Sequence, residues 1–180
     1  MKHNDLHLGK ILKFLTLFAL ISMFASCNSD DDTPPTPIDE EVAFRVDLLK
    51  IAALEIKEAE DEMLEIYGTI SSKLRRDNIT EDNTLWSVAE TEAIGVGVSD
   101  TPLVSSVTYT IASSKIAAGT IEVAAHLFDY DGGGDNPSED LGNEKLSTPL
   151  SNITTSVTYQ IVLNDSSGQT VQLTYSITRL

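Results

Sequence analysis

Two segments constrain this chain most: Ser156-Val157-Thr158-Tyr159-Gln160-Ile161-Val162-Leu163 and Thr170-Val171-Gln172-Leu173-Thr174-Tyr175-Ser176-Ile177. Both are rich in β-branched and aromatic residues and both alternate apolar with polar, the period of two that belongs to a pleated strand with one buried face. Asn164-Asp165-Ser166-Ser167-Gly168 between them is turn chemistry, so the pair reads as a hairpin. Val157, Tyr159, Ile161 and Leu163 then share a face with Val171, Leu173, Tyr175 and Ile177. A hairpin with one apolar face needs a second layer to cover it. Further strands are expected at Leu64 to Ser71, Leu85 to Val88, Ala93 to Val98, Val104 to Ile111 and Thr120 to Phe128. Their spacing, broken by polar or glycine-containing stretches, predicts an all-β fold, a single antiparallel β-sandwich.

The segment Val42 to Glu62 fits two readings. Val42, Phe44, Val46 and Leu48, then Ala52, Leu54 and Ile56, alternate as in a strand with an irregularity near Lys50. Leu, Ala, Glu and Lys are also good helix formers, and Val42, Val46, Leu49, Ala53 and Ile56 fit a helical stripe. The all-β context favours the strand. Trp86, the single tryptophan, fits half-buried core packing or a recognition platform.

The chain carries 28 acidic against 12 basic residues, a net charge of −16. Such a surface repels nucleic acid and anionic headgroups, and suits the capture of divalent cations outside the cell. Cys27 is the only cysteine, so no intrachain disulfide can hold the fold. It stands where an apolar run ends in Phe24-Ala25-Ser26-Cys27 and the tract Asn28-Ser29-Asp30-Asp31-Asp32 begins. Lys2, Lys10 and Lys13 flank that run, and Phe14 to Phe24 is too short to cross a bilayer of about 30 Å as a helix.

This arrangement resembles a bacterial lipoprotein signal. The resemblance implies cleavage before Cys27 and lipid attachment to its thiol and amino group; two or more acyl chains anchor stably. Without the leader the chain has 27 acidic and 9 basic residues, or −18. Ser29, Asp30, Asp31 and Asp32 look like the serine-plus-acidic export tag of Bacteroidota surface lipoproteins, which implies the outer membrane and its cell-surface leaflet. Thr33-Pro34-Pro35-Thr36-Pro37 reads as a stiff extended spacer. The expected organisation is a signal peptide at 1–26, a lipidated acidic and proline-rich tether at 27–40, and a sandwich domain at 41–180.

Chemistry concentrates in Asp129-Tyr130-Asp131-Gly132-Gly133-Gly134-Asp135-Asn136-Pro137-Ser138-Glu139-Asp140-Leu141-Gly142. Calcium is a hard cation that takes six to eight oxygens, and a glycine-rich loop bearing several carboxylates can close around it. A solvated acidic turn has the same composition. The strand Thr120 to Phe128 running into Asp129-Tyr130-Asp131, then Glu139-Asp140-Leu141-Gly142, is similar to the calcium-dependent β-sandwich of the C-two (C2) type. That resemblance implies Ca2+ held by Asp129, Asp131, Asp135 and Asp140, with Asp61 and Glu62 from an earlier acidic loop, Glu58 to Glu62.

Catalysis is not expected. His126 is the only histidine beyond the leader, in a strand position where a core or sheet-face role is commoner. No nucleophile-elbow spacing is present, and zinc lacks both free thiols and a second histidine. The reading is a surface-anchored lipoprotein that binds or adheres to an unknown protein or glycan partner, not to nucleic acid. Its alternative is a metal-free structural or assembly subunit of an outer-membrane complex.

Overall fold

The alternation seen in the sequence becomes nine strands in the computed structural model, which describes residues 38–57, 63–132 and 138–180. They are β1 (Glu41–Glu55), β2 (Leu64–Arg76), β3 (Ile79–Val88), β4 (Ile94–Val96), β5 (Thr101–Ala112), β6 (Thr120–Asp129), β7 (Glu139–Pro149), β8 (Ser156–Asn164) and β9 (Thr170–Arg179). The first sheet has the order β5-β1-β9-β8, and the second β3-β2-β6-β7, with β4 also paired to β2. Every pairing is antiparallel. The protein is an all-β, two-sheet antiparallel sandwich.

The two inner faces meet in one apolar core. Phe44, Val46, Leu48 and Ile51 of β1 and Leu173, Tyr175 and Ile177 of β9 come from one sheet; Ile66, Ile70 and Leu74 of β2 and Ile121, Val123 and Leu127 of β6 come from the other. Each large aliphatic side chain buried there stabilises the fold by about 1.5–3 kcal/mol relative to exposure. Gly68 lets the second sheet close: its φ is +126°, and a Cβ would stand 2.3 Å from the His126 carbonyl oxygen on β6.

The hairpin β8–β9 has the expected register, with Val157 opposite Ile177, Tyr159 opposite Tyr175, Ile161 opposite Leu173 and Leu163 opposite Val171. The open question over residues 42–62 resolves as strand from Glu41 to Glu55, and the irregularity near Lys50 is a bulge between Leu48 and Lys50. Glu58 to Glu62 lie outside the described residues. Trp86 is partly buried and packs against the core.

Two edge strands differ from expectation. β3 begins at Ile79, not Leu85, after a turn in which Asp77 takes a φ of 47°. Glu139-Asp140-Leu141-Gly142, expected in the acidic loop, opens strand β7 instead. Both stretches are rich in polar and charged residues, as suits an edge that must resist pairing with other chains.

Candidate metal-binding site

One end of the sandwich gathers the end of β1, the starts of β2, β7 and β9, and the ends of β6 and β8. Across the two sheets it is tied by the Ala53 N–H donating to the Gly97 carbonyl at 2.9 Å and by Gln169 Nε2 donating to Glu139 Oε2 at 2.9 Å.

Asp129 is the last residue of β6, and the alternation that sends Ile121, Val123, Ala125 and Leu127 inward sends Asp129 inward too. It is only 2% exposed. Its Oδ1 accepts from the Glu65 N–H at 2.7 Å, while the buried Oδ2 has no partner. Burial pushes its pKa above the ordinary carboxylate range; the Glu65 N–H opposes this, and the charge of Asp131 reinforces it. The Gln169 carboxamide stands close enough to lower that pKa without completing a hydrogen bond of ordinary geometry to Oδ2.

Glu139 sits directly opposite Asp129 across the β6–β7 ladder. Its pKa is raised, first because a hydrogen bond with Asp165 favours its protonated form, and also by burial and the charges of Asp165 and Asp131. Asp165, in the β8–β9 turn, is also penalised by burial, yet its pKa is lowered because donors outnumber that penalty. Its Oδ1 accepts from the Gly168 N–H at 2.7 Å and the Gln169 N–H at 2.8 Å, and Ser167 Oγ donates to it as well. Glu139 and Asp165 therefore titrate as a linked pair, with Glu139 pushed up and Asp165 pushed down. Gln169 is 1% exposed, and its Oε1 is a second buried oxygen without a partner.

This end therefore holds Asp129 and Asp131 together with Glu139, Asp165 and Gln169. Asp140 goes elsewhere. Because β7 starts at Glu139, successive side chains point to opposite faces, so Asp140 projects outward and meets His126, with Nε2 to Oδ1 at 3.3 Å. Its Oδ1 also accepts from the Gly142 N–H at 2.9 Å. His126 thus lies on the outer sheet face beside Phe128, at 4.5 Å between ring centroids. Asp135, Asp61 and Glu62, like Cys27, Ser29, Asp30, Asp31 and Asp32, lie outside the described residues.

Among the described residues no three His, Cys, Asp or Glu side chains are grouped closely enough to hold a metal ion as they stand. The donor set is nevertheless all oxygen, and two of its buried oxygens lack any donor. That chemistry fits a hard cation such as calcium and fits zinc poorly.

No family model matches the chain, and no curated protein matches it. Similar solved structures include a C2 domain of plant Extended Synaptotagmin 1, with 11% identity and a TM-score of 0.43, covering 77% of this chain and 93% of that one. The calcium-bound pair of C2 domains of Extended-Synaptotagmin 2 shares 12% identity at a TM-score of 0.39, covering 77% and 45% of the two chains. Human GIVD cytosolic phospholipase A2 shares 10% identity at a TM-score of 0.40, covering 78% of this chain and 17% of that one. At these scores the likenesses assign neither a site nor an activity to this chain, and the geometry has to carry the functional reading.

Proposed function

We propose that this chain is a lipid-anchored, non-catalytic binding or adhesion module of the outer-membrane surface, stabilised by calcium at the Asp129 end. The observation that carries the metal reading is the inward-facing Asp129 carboxylate, 2% exposed with Oδ2 unpartnered, beside the equally unpartnered Gln169 Oε1. Asp129, Asp131, Glu139 and Asp165 would hold the ion with the Gln169 carboxamide, and Asp135, Asp61 and Glu62 remain the further ligands that the sequence proposes. A bound divalent cation would offset the mutual repulsion of these carboxylates and give both orphaned oxygens a partner. The domain's first residue, Asp39, is fixed at the opposite end, where it accepts from Ser113 Oγ at 2.9 Å and the Ser114 N–H at 3.0 Å. The chain therefore enters the sandwich at the end away from Asp129.

Calcium that binds only the folded state at a hundredfold above its Kd adds about 2.7 kcal/mol. The expected result is a melting temperature several degrees higher in millimolar calcium than in chelator, with the difference absent in Asp129→Asn. Identical melting of the parent protein in both conditions would leave the metal-free structural subunit as the better account. One feature favours that second reading: Leu54, Met63 and Val98, 52%, 56% and 71% exposed, stand at the same end and suit contact with another protein. The anchor is tested separately. Cys27→Ser should lose metabolically incorporated fatty acid, and replacing Asp30, Asp31 and Asp32 by Ala should keep the lipid but lose protease access on whole cells; retained label or unchanged access refutes the respective claim.

A further inference from the structure

The outer face of the β5-β1-β9-β8 sheet has a composition of its own. Along β5 from Val104 to Thr110, β9 from Gln172 to Thr178 and β8 from Ser156 to Asn164, the alternate residues facing away from the core are Ser, Thr, Gln or Asn, apart from Val104 and Val162. The charged groups on the adjoining stretch of β1 are matched locally: Arg45 Nε meets Asp47 Oδ2 at 2.9 Å, and Lys50 Nζ meets Asp100 Oδ2 at 2.6 Å. In a chain with net charge −16, this face is electrically balanced.

It is also recessed. Thr174 and Ser176 point outward yet are only 5% and 8% exposed. A cleft of about 790 Å³ runs over this region, with Arg45, Asp47, Ser106, Ser156, Ser176 and Thr178 among its lining and Leu49 and Val104 as apolar contacts. It is shallow and open to solvent along the sheet face, which suits an extended chain molecule laid across it. Leu49 is lifted into this position by the bulge in β1, and Val104 is 98% exposed.

We infer that this cleft binds a neutral oligosaccharide. Sugar rings present dense hydroxyl groups around apolar C–H faces, and the cleft offers the counterpart of each. Its serine and threonine hydroxyls both donate and accept. The Arg45–Asp47 pair supplies a planar donor fork and two acceptor oxygens side by side, suited to adjacent hydroxyls on one ring. Leu49 and Val104 offer surface for the C–H face. A protein partner fits less well, since the centres of protein interfaces are more apolar than this hydroxyl-lined face. Anionic polymers are disfavoured by the net charge. The site names a partner class for the proposed binding module but shares no residue with the Asp129 end, so it stands whether or not calcium binds there.

The test is retention of the full chain on immobilised dextran, mannan, xylan and mixed-linkage β-glucan, with pectate and hyaluronan as anionic controls, all in chelator. At least one neutral polymer should bind, and Ser106→Trp, which fills the cleft from an exposed position, should weaken that binding at least tenfold. Thr110→Trp, outward on the same strand beyond the cleft, should bind as the parent does. Asp47→Asn should weaken binding without altering the melting temperature, and it decides the matter if Ser106→Trp fails to fold. Binding to none of the neutral polymers, preference for the anionic ones, or neutral-polymer binding untouched by Asp47→Asn and Ser106→Trp would overturn the inference.

Discussion

Asp39 and Asp129 sit at opposite ends of the sandwich and meet opposite fates. Asp39 is solvated and served by donors: the Ser114 hydroxyl, the Ser114 N–H and the Ser113 hydroxyl hold its pKa below the ordinary value, in that order of effect. Around it the end is closed by apolar packing and short turns. Leu150 and Ile153 are fully buried, the Leu150 N–H donates to the Gly119 carbonyl at 2.9 Å, and the Ser113 N–H donates to the Glu40 carbonyl at 2.7 Å. Asp129 is buried with one oxygen unserved, and its pKa moves the other way. The same residue type thus marks an end built for stability and an end built around an unmet electrostatic demand.

The largest expected effect tests the Asp39 end. Leu150→Ala should cost about 2–5 kcal/mol, because the side chain is completely buried and the neighbouring Gly119 cannot fill the space. Calorimetry should show melting lowered by about 3 °C for each kcal/mol lost, with the calcium response intact. A lost calcium response would mean the two ends are not independent.

The next effect concerns pH. A folded-state pKa raised above its unfolded value means that the folded protein holds more protons, so stability falls as pH rises through and above the ordinary carboxylate range near 4. Asp129 and Glu139 act in this direction. In chelator, Asp129→Asn should therefore be the more stable protein at pH 7, by an amount on the order of 1 kcal/mol, and the gap should narrow towards pH 4. Denaturation curves across that range decide it; an Asn variant less stable than the parent at pH 7 would mean that the carboxylate is already satisfied.

Asp39 has the opposite sign: its contribution is present above its unfolded pKa and is lost as pH falls through the lowered folded value. Because it is exposed, Asp39→Ala should be the mildest change of the three. The expected result is faster hydrogen exchange at the Ser114 N–H with the global melting temperature unchanged. A global loss of stability would show that this cap holds more than the first strand.

The sequence disclosed whichever features are written in neighbouring residues. The β8–β9 hairpin was legible because apolar positions alternate without interruption, and the bulge in β1 because the phase slips at one place. β7 was hidden: beyond Glu139 only Leu141 and Leu146 mark an apolar side, Gly142 falls between them, and the ladder shifts register near Leu127. That shift matters for the site. Once β7 begins at Glu139, parity places Glu139 with Asp129 and sends Asp140 to His126. Asp165 was read as part of a turn and Gln169 was given no role, and nothing local says that this turn reaches the β6–β7 connection. Sheet-to-sheet closure makes that contact, through the Gln169 to Glu139 hydrogen bond.

The strand order of the first sheet also bears on how the chain reaches this shape. β1 lies between β5 and β9, so one of its edges waits for residues 170–179, more than a hundred positions downstream. Closing so distant a pair carries a large loop-entropy penalty before any pairing is gained, and sandwiches dominated by such pairings fold on the order of milliseconds to seconds. Until β9 is made, that edge of β1 has no mate. The strand that starts the domain is thus paired on both edges only after the strand that closes it has been made.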